Sequence, residues 1–127
     1  VLALSHPGLF VIRRAYDAKA KRFAASIGVD DVRRVKGFLN LSAVGAGRRV
    51  VIVDTADDLN ANAANALLKS LEEPPAQTTF LLLTAAPGRL LATIRSRCRR
   101  LALQPLAPDD LKAAVLAAYA NAGRDAA

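Results

Sequence analysis

The chain has 127 residues and a net charge of +7, from 18 Lys and Arg against 11 Asp and Glu. Hydrophobic residues make up 53% of it, which excludes a disordered chain, because enough apolar area is present to offset the entropy lost on folding. The 7 Gly and 6 Pro follow no tripeptide period, the single cysteine excludes a disulfide framework or a cysteine-based zinc site, and no apolar run approaches a membrane span.

Leu9-Phe10-Val11-Ile12 is a short apolar run closed by Arg13-Arg14 and is predicted to be a buried strand. Residues 15–28 are polar and mixed and read as a connection. Asp30-Asp31 then open a predicted helix, where carboxylates suit the positive end of the helix dipole. Val32, Val35, Phe38 and Leu39 share one face of it, and Gly45-Ala46-Gly47 breaks the chain.

Val50-Val51-Ile52-Val53 predicts a strand covered on both faces, as in a parallel sheet. A helix is expected from about Leu59 to Glu73, with Leu59, Ala63, Leu67 and Leu71 as its stripe, widened by Ala64 and Leu68. Pro74-Pro75 ends it, Pro74 pushing Glu73 toward an extended backbone. Phe80-Leu81-Leu82-Leu83-Thr84 reads as another two-sided strand, 88–95 as a short helix and 99–103 as a strand. Pro105 and Pro108 bracket a linker. Asp109-Asp110 start a last helix with Leu111, Val115 and Tyr119 inward, closed by Gly123.

The order β-α-β-α-β-α-β-α predicts an α/β fold: a three-layer parallel sheet with helices on both faces and right-handed crossovers. The expected division is 1–104 and 105–127. Val1 in place of Met suggests a segment of a longer protein. With no signal peptide and one unpaired thiol, a cytoplasmic location is expected. Thirteen of the basic residues are Arg, and 27 residues are Ala. A polyanion partner explains the first figure and a GC-rich genome explains both, so composition leaves the two open.

In parallel sheets ligands sit at the carboxyl ends of the strands. Asp54 and Thr84 are the first polar residues after two strands and should share that edge. P-loop NTPases hold magnesium with a carboxylate so placed, although Asp also ends many strands simply by being soluble. No GxxxxGK[ST] is present, and the residue beside Asp54 is Thr55, not a carboxylate that orients water. Asp57-Asp58 are expected to cap or precede the helix. Two features break local rules. Glu72-Glu73 place negative charge at a helix C-terminus, against its dipole. Arg95, Arg97, Arg99 and Arg100 crowd around Ser96 and Cys98, as a solvated face or as a phosphate reader. Cys98 is a poor nucleophile, since His6 is the only histidine and is remote in sequence.

Three stretches together are more specific than any one: VVIVD at 50–54, NALLKSLEEPP at 65–75 and SRC at 96–98. With Leu90-Leu91-Ala92-Thr93-Ile94-Arg95 and His6-Pro7, they resemble the AAA+ subunits of the bacterial DNA polymerase III clamp loader, most closely the delta-prime type, over about residues 6–106. The resemblance implies a P-loop NTPase core without its first strand, followed by the start of a helical lid. Asp54 then matches the Walker B aspartate and Thr84 the sensor-1 position, as cofactor-binding candidates. Arg97 matches the arginine finger, the one catalytic candidate, offered in trans to ATP in a neighbouring subunit. Glu72, Glu73, Ser96 and Cys98 belong to the family motifs, with Ser96 and Cys98 shaping a turn. Thr55 departs from the Glu of hydrolysing subunits and fits a non-hydrolysing stator.

The same resemblance implies no cofactor and no metal bound by this chain, ATP and magnesium in the neighbour, and a zinc module outside it. Its implied partners are other clamp-loader AAA+ subunits and, through the assembly, the sliding clamp and primer-template DNA, within a DNA-directed DNA polymerase holoenzyme. No membrane partner is expected. Since the family's first strand would sit between 80–84 and 99–103, the latter segment should shift, pair with another chain or stay irregular, with dimer contacts through the exposed edge. An active ATPase subunit and a plain basic nucleic-acid-binding module are the alternatives.

Overall fold

The computed structural model describes residues 6–41 and 47–125. Its sheet has three parallel strands, β1 (Leu9–Ile12), β4 (Arg49–Val53) and β5 (Thr78–Leu82), with β4 in the middle. Phe10, Val51 and Phe80 lie in register, as do Ile12, Val53 and Leu82. Successive side chains of a strand point to opposite faces, so these six form one face of the sheet. Helices α1 (Val29–Asn40) and α2 (Ala61–Glu72) pack against each other and against this face. Val32, Val35, Leu39, Ala63 and Leu67 interlock with Ile12, Val51 and Val53 in the core, and the Phe10 and Phe38 rings lie 5.3 Å apart.

The parallel α/β core is as expected, but two-sided burial holds only in part. Val50 and Ile52 on the opposite face are half-buried, and Leu81 is 47% exposed. The outer edge of β5 has no strand beside it among the described residues, and 99–103 is irregular. An apolar run such as Leu81-Leu82-Leu83 records what a strand can bury; without a neighbour on that side the second face stays open.

Three elements differ from expectation. Residues 15–28 hold a small antiparallel hairpin, β2 (Tyr16–Asp17) and β3 (Arg22–Phe23). The Asp17 carboxylate accepts from the amides of Lys19 and Ala20, and Lys21 takes φ 51°, which builds the turn without the Asn-Gly or Gly that usually signals one. The 88–95 helix resolves into a 3-10 turn at Pro87–Arg89 and a single α turn, α3 (Ala92–Arg95). In α4 (Pro108–Asp125), Leu111, Val115 and Tyr119 face outward, Tyr119 being 75% exposed, and the helix runs through Gly123. No described element covers their stripe. Gly45 and Ala46 lie outside the described residues.

Local chemistry fixes the remaining junctions. Gly28 begins α1 and its amide donates to Asp31 at 3.0 Å, which closes the capping box from the acidic side. At the other end of α1, the Arg49 guanidinium donates to the carbonyls of Leu39 and Leu41, the cation standing where the helix dipole favours it. Asp57 and Asp58 precede α2 but do not cap it. Asn60 does so, its side chain accepting from the Ala63 amide at 2.8 Å. Gly8 is required by close approach: a Cβ there would lie 2.7 Å from the carbonyl oxygen of Arg48, where β1 meets β4. His6 shapes the turn before it, with Nδ1 accepting from the Gly8 amide at 3.0 Å.

Candidate functional site

The carboxyl ends of the three strands form one edge, and Asp54 and Thr84 stand on it as expected. Asp54 is exposed, and its amide donates to the Ile12 carbonyl at 2.8 Å, which continues the β1–β4 ladder by one step. Thr84 follows Leu83, whose amide donates to Val53 and whose carbonyl accepts from Ala56. The backbone therefore holds both positions firmly.

The hydroxyl of Thr84 meets Asp57 rather than Asp54. Its Oγ1 donates to Asp57 Oδ1 at 2.5 Å, and the Ala85 amide donates to Oδ2 at 3.1 Å. Asp57 sits in a 3-10 turn, Ala56–Asp58, and so bridges the loop after β4 to the loop after β5. The Thr84 hydroxyl draws its acid constant below the ordinary 3.8, helped by the Ala85 and Ala86 amides and the charge of Arg89, while partial burial opposes them. From the sequence Asp57 is expected only to cap or precede the helix. The signal was an aspartate three residues after Asp54, on a turn too short to bury it. A group whose acid constant is lowered by folding stabilises above its unfolded value and loses that contribution as pH falls through the folded one. Urea midpoints of the wild type are therefore expected to drop below about pH 4, and Asp57→Asn to flatten that part of the profile.

The second cluster is built on the turn after α3. Arg97, in the turn after α3, places Nη2 2.5 Å from Glu72 Oε1 at the end of α2. Nη1 donates to the Thr93 carbonyl at 2.8 Å and to Ser96 Oγ at 3.3 Å. Ser96 Oγ itself donates to Thr93, and the Cys98 amide to Arg95, so both residues shape the turn. Ile94, 1% exposed, anchors this turn in the interior. The acid that opposed the helix dipole thus holds the arginine of the cationic run. Glu73 only terminates α2, its amide donating to Lys69. Partial burial pushes the Cys98 thiol up from 9.0, against nucleophilic use.

Beside Leu82–Thr84 runs an open groove of about 750 Å³, whose far wall is the irregular segment from Cys98 to Leu103. Leu101 and Leu103 are 81% and 80% exposed. Among the described residues no three His, Cys, Asp or Glu side chains converge as metal ligands. Asp54, with Thr55 beside it, offers a single carboxylate at this edge.

A family model described as "DNA polymerase III, delta subunit" matches residues 1–107. The chain belongs to the DNA polymerase III delta subunit family. It is 47% identical over 94 residues to the DNA polymerase III subunit delta' of Pseudomonas aeruginosa, covering 74% of this chain and 27% of that one. To the Escherichia coli K12 subunit delta' it is 57% identical over 83 residues, 65% of this chain and 24% of the relative. The crystal structure of a DNA polymerase III gamma subunit-related protein from Thermotoga maritima superposes with a TM-score of 0.67 at 35% identity, over 79% of this chain and 31% of that one. The chain thus spans about a quarter of the length of these curated relatives. No helix among the described residues is long and apolar enough to cross a membrane.

Proposed function

We propose that this chain belongs to a subunit of the DNA polymerase III clamp loader. It acts in DNA replication as a non-hydrolysing AAA+ stator that supplies Arg97 in trans to a neighbouring ATPase subunit. The observation that carries this reading is the state of the Asp54–Thr84 edge. Asp54 has Thr55, not a second carboxylate, beside it, and the Thr84 hydroxyl is committed to Asp57. Hydrolysis in cis needs a base or water-positioning group at that edge, and Thr55 beside Asp54 is not one.

Arg97, by contrast, has the chemistry that a phosphate in another subunit requires. Its guanidinium stays charged at any physiological pH and offers donors in a planar fork that matches phosphate oxygens. The neighbouring subunit's ATP and magnesium supply the reacting bond. This chain contributes a fixed positive charge against oxygens whose negative charge must be stabilised as the phosphoryl group leaves. Sliding clamp and primer-template DNA are partners of the assembly rather than of this chain alone.

Reconstituting the loader with full-length Asp54→Asn tests the non-hydrolysing half of the proposal. DNA-stimulated ATP hydrolysis is expected to stay within about twofold of wild type, since Asp54 holds no magnesium used in turnover. A loss of about tenfold or more would instead support an active ATPase subunit.

A further inference from the structure

We propose that Glu72 is a positioning residue for Arg97: its carboxylate holds the guanidinium aimed outward before the neighbouring subunit docks and remains in place when a phosphate is engaged. This rests on the reading of Arg97 as a residue that acts in trans. A guanidinium has five N–H donors. Nη1 is used twice, by the Thr93 carbonyl and Ser96 Oγ, and Nη2 stands in ion-pair contact with Glu72. The Nε–H has no acceptor among the described residues, and a phosphate oxygen can take it without displacing the carboxylate.

The two sides of the pair are anchored differently. Thr93 and Ser96 are neighbours of Arg97 in the same turn, and they fix one end of the fork. Glu72 comes from another element, the last turn of α2, which packs against α3. Among the described residues only Glu72 ties the direction of the arginine to the body of the domain. Arg97 is still 34% exposed and Glu72 44%, so the pair lies at the surface where a partner can reach it. A surface ion pair contributes little to stability. It can still remove rotamer freedom from a long side chain before binding, and that shows in turnover rather than in folding. Negative charge at the end of α2 costs little in water, and here it has a partner that justifies it.

The experiment uses the reconstituted loader with full-length subunit, ATP and primer-template DNA. Glu72→Ala is expected to lower kcat by about tenfold with KM for ATP nearly unchanged, because the arginine is present but must be ordered during the reaction. Glu72→Gln keeps an acceptor at the same place and is expected to recover most of kcat. In an Arg97→Ala background, Glu72→Ala is expected to add no further loss. Unchanged or raised kcat in Glu72→Ala, or an equal loss in the Arg97→Ala background, would overturn the proposal. If Glu72→Ala does not assemble, Glu72→Asp reads the same quantity: it keeps the charge but draws it back by one methylene, and an unchanged kcat overturns the proposal while a lowered one supports it. Arg97→Ala alone separates the two ideas. If that change is silent, the trans reading itself is wrong; if it is severe and Glu72→Ala is silent, only the positioning role fails.

Discussion

Replacing Arg97 with alanine is expected to reduce DNA-stimulated ATP hydrolysis by the reconstituted loader about a thousandfold or more, with the subunit still folded and assembled. The size follows from where charge develops in phosphoryl transfer. A guanidinium at the equatorial oxygens acts in a site from which water is largely excluded, where one positive charge is worth far more than in solvent. Folding should be spared for a different reason. Arg97 is partly exposed, its partners Thr93, Ser96 and Glu72 all reach solvent, and the turn is anchored by Ile94. Measuring kcat with saturating primer-template DNA, beside gel filtration of the complex, checks both halves. Arg97→Lys is expected to restore little, since a point charge cannot reproduce the fork. Hydrolysis unchanged in Arg97→Ala would remove the arginine from the reaction altogether.

The second large effect concerns the core. Leu67→Ala is expected to destabilise the protein by about 2–5 kcal/mol. Leu67 is fully buried on α2, packed in the cluster that joins α1, β1 and β4. Truncation removes the apolar contact and leaves a void that two packed helices and a sheet can close only in part. Neighbouring Leu68 is half-buried and should tolerate the same change with a smaller loss. Denaturant midpoints of the full-length variants give the comparison. Equal losses at the two positions would mean that α2 is not seated as described.

The sequence makes the central fold legible where periodicity and burial agree. Val51, Val53, Val35 and Leu67 are core residues where the apolar pattern places them, and Asp31 and Pro74 mark helix ends by chemistry that acts within a few residues. It is less legible where the deciding partner is distant. The β2–β3 hairpin depends on Asp17 replacing a turn dipeptide and on the contact of Tyr16 with Phe23. Leu111, Val115 and Tyr119 have the spacing of a buried stripe, but periodicity does not say what covers it. The site divides in the same way. Asp54 and Thr84 follow from strand ends alone. Asp57 has only a local role in the sequence pattern because its partner is 27 residues away, a distance no local pattern spans. Glu72 and Arg97 stood out separately as rule-breaking charge, yet only packing of α2 against α3 makes them a pair.

The ion pairs also decide how the molecule is felt from outside. Asp30, Asp31, Asp58 and Glu72 each meet an arginine, so much of the acidic charge is cancelled close to its source. From Arg89 to Leu103 there are five arginines and no carboxylate, and among the described residues only Arg97 of these forms an ion pair. A polyanion approaching that segment meets attraction within roughly a screening length, about 8 Å at physiological salt. Such a concentration of charge draws a polyanion toward the segment that carries Arg97. It speeds correct docking at low salt and loses that influence as salt rises, while the contacts made after docking are affected far less.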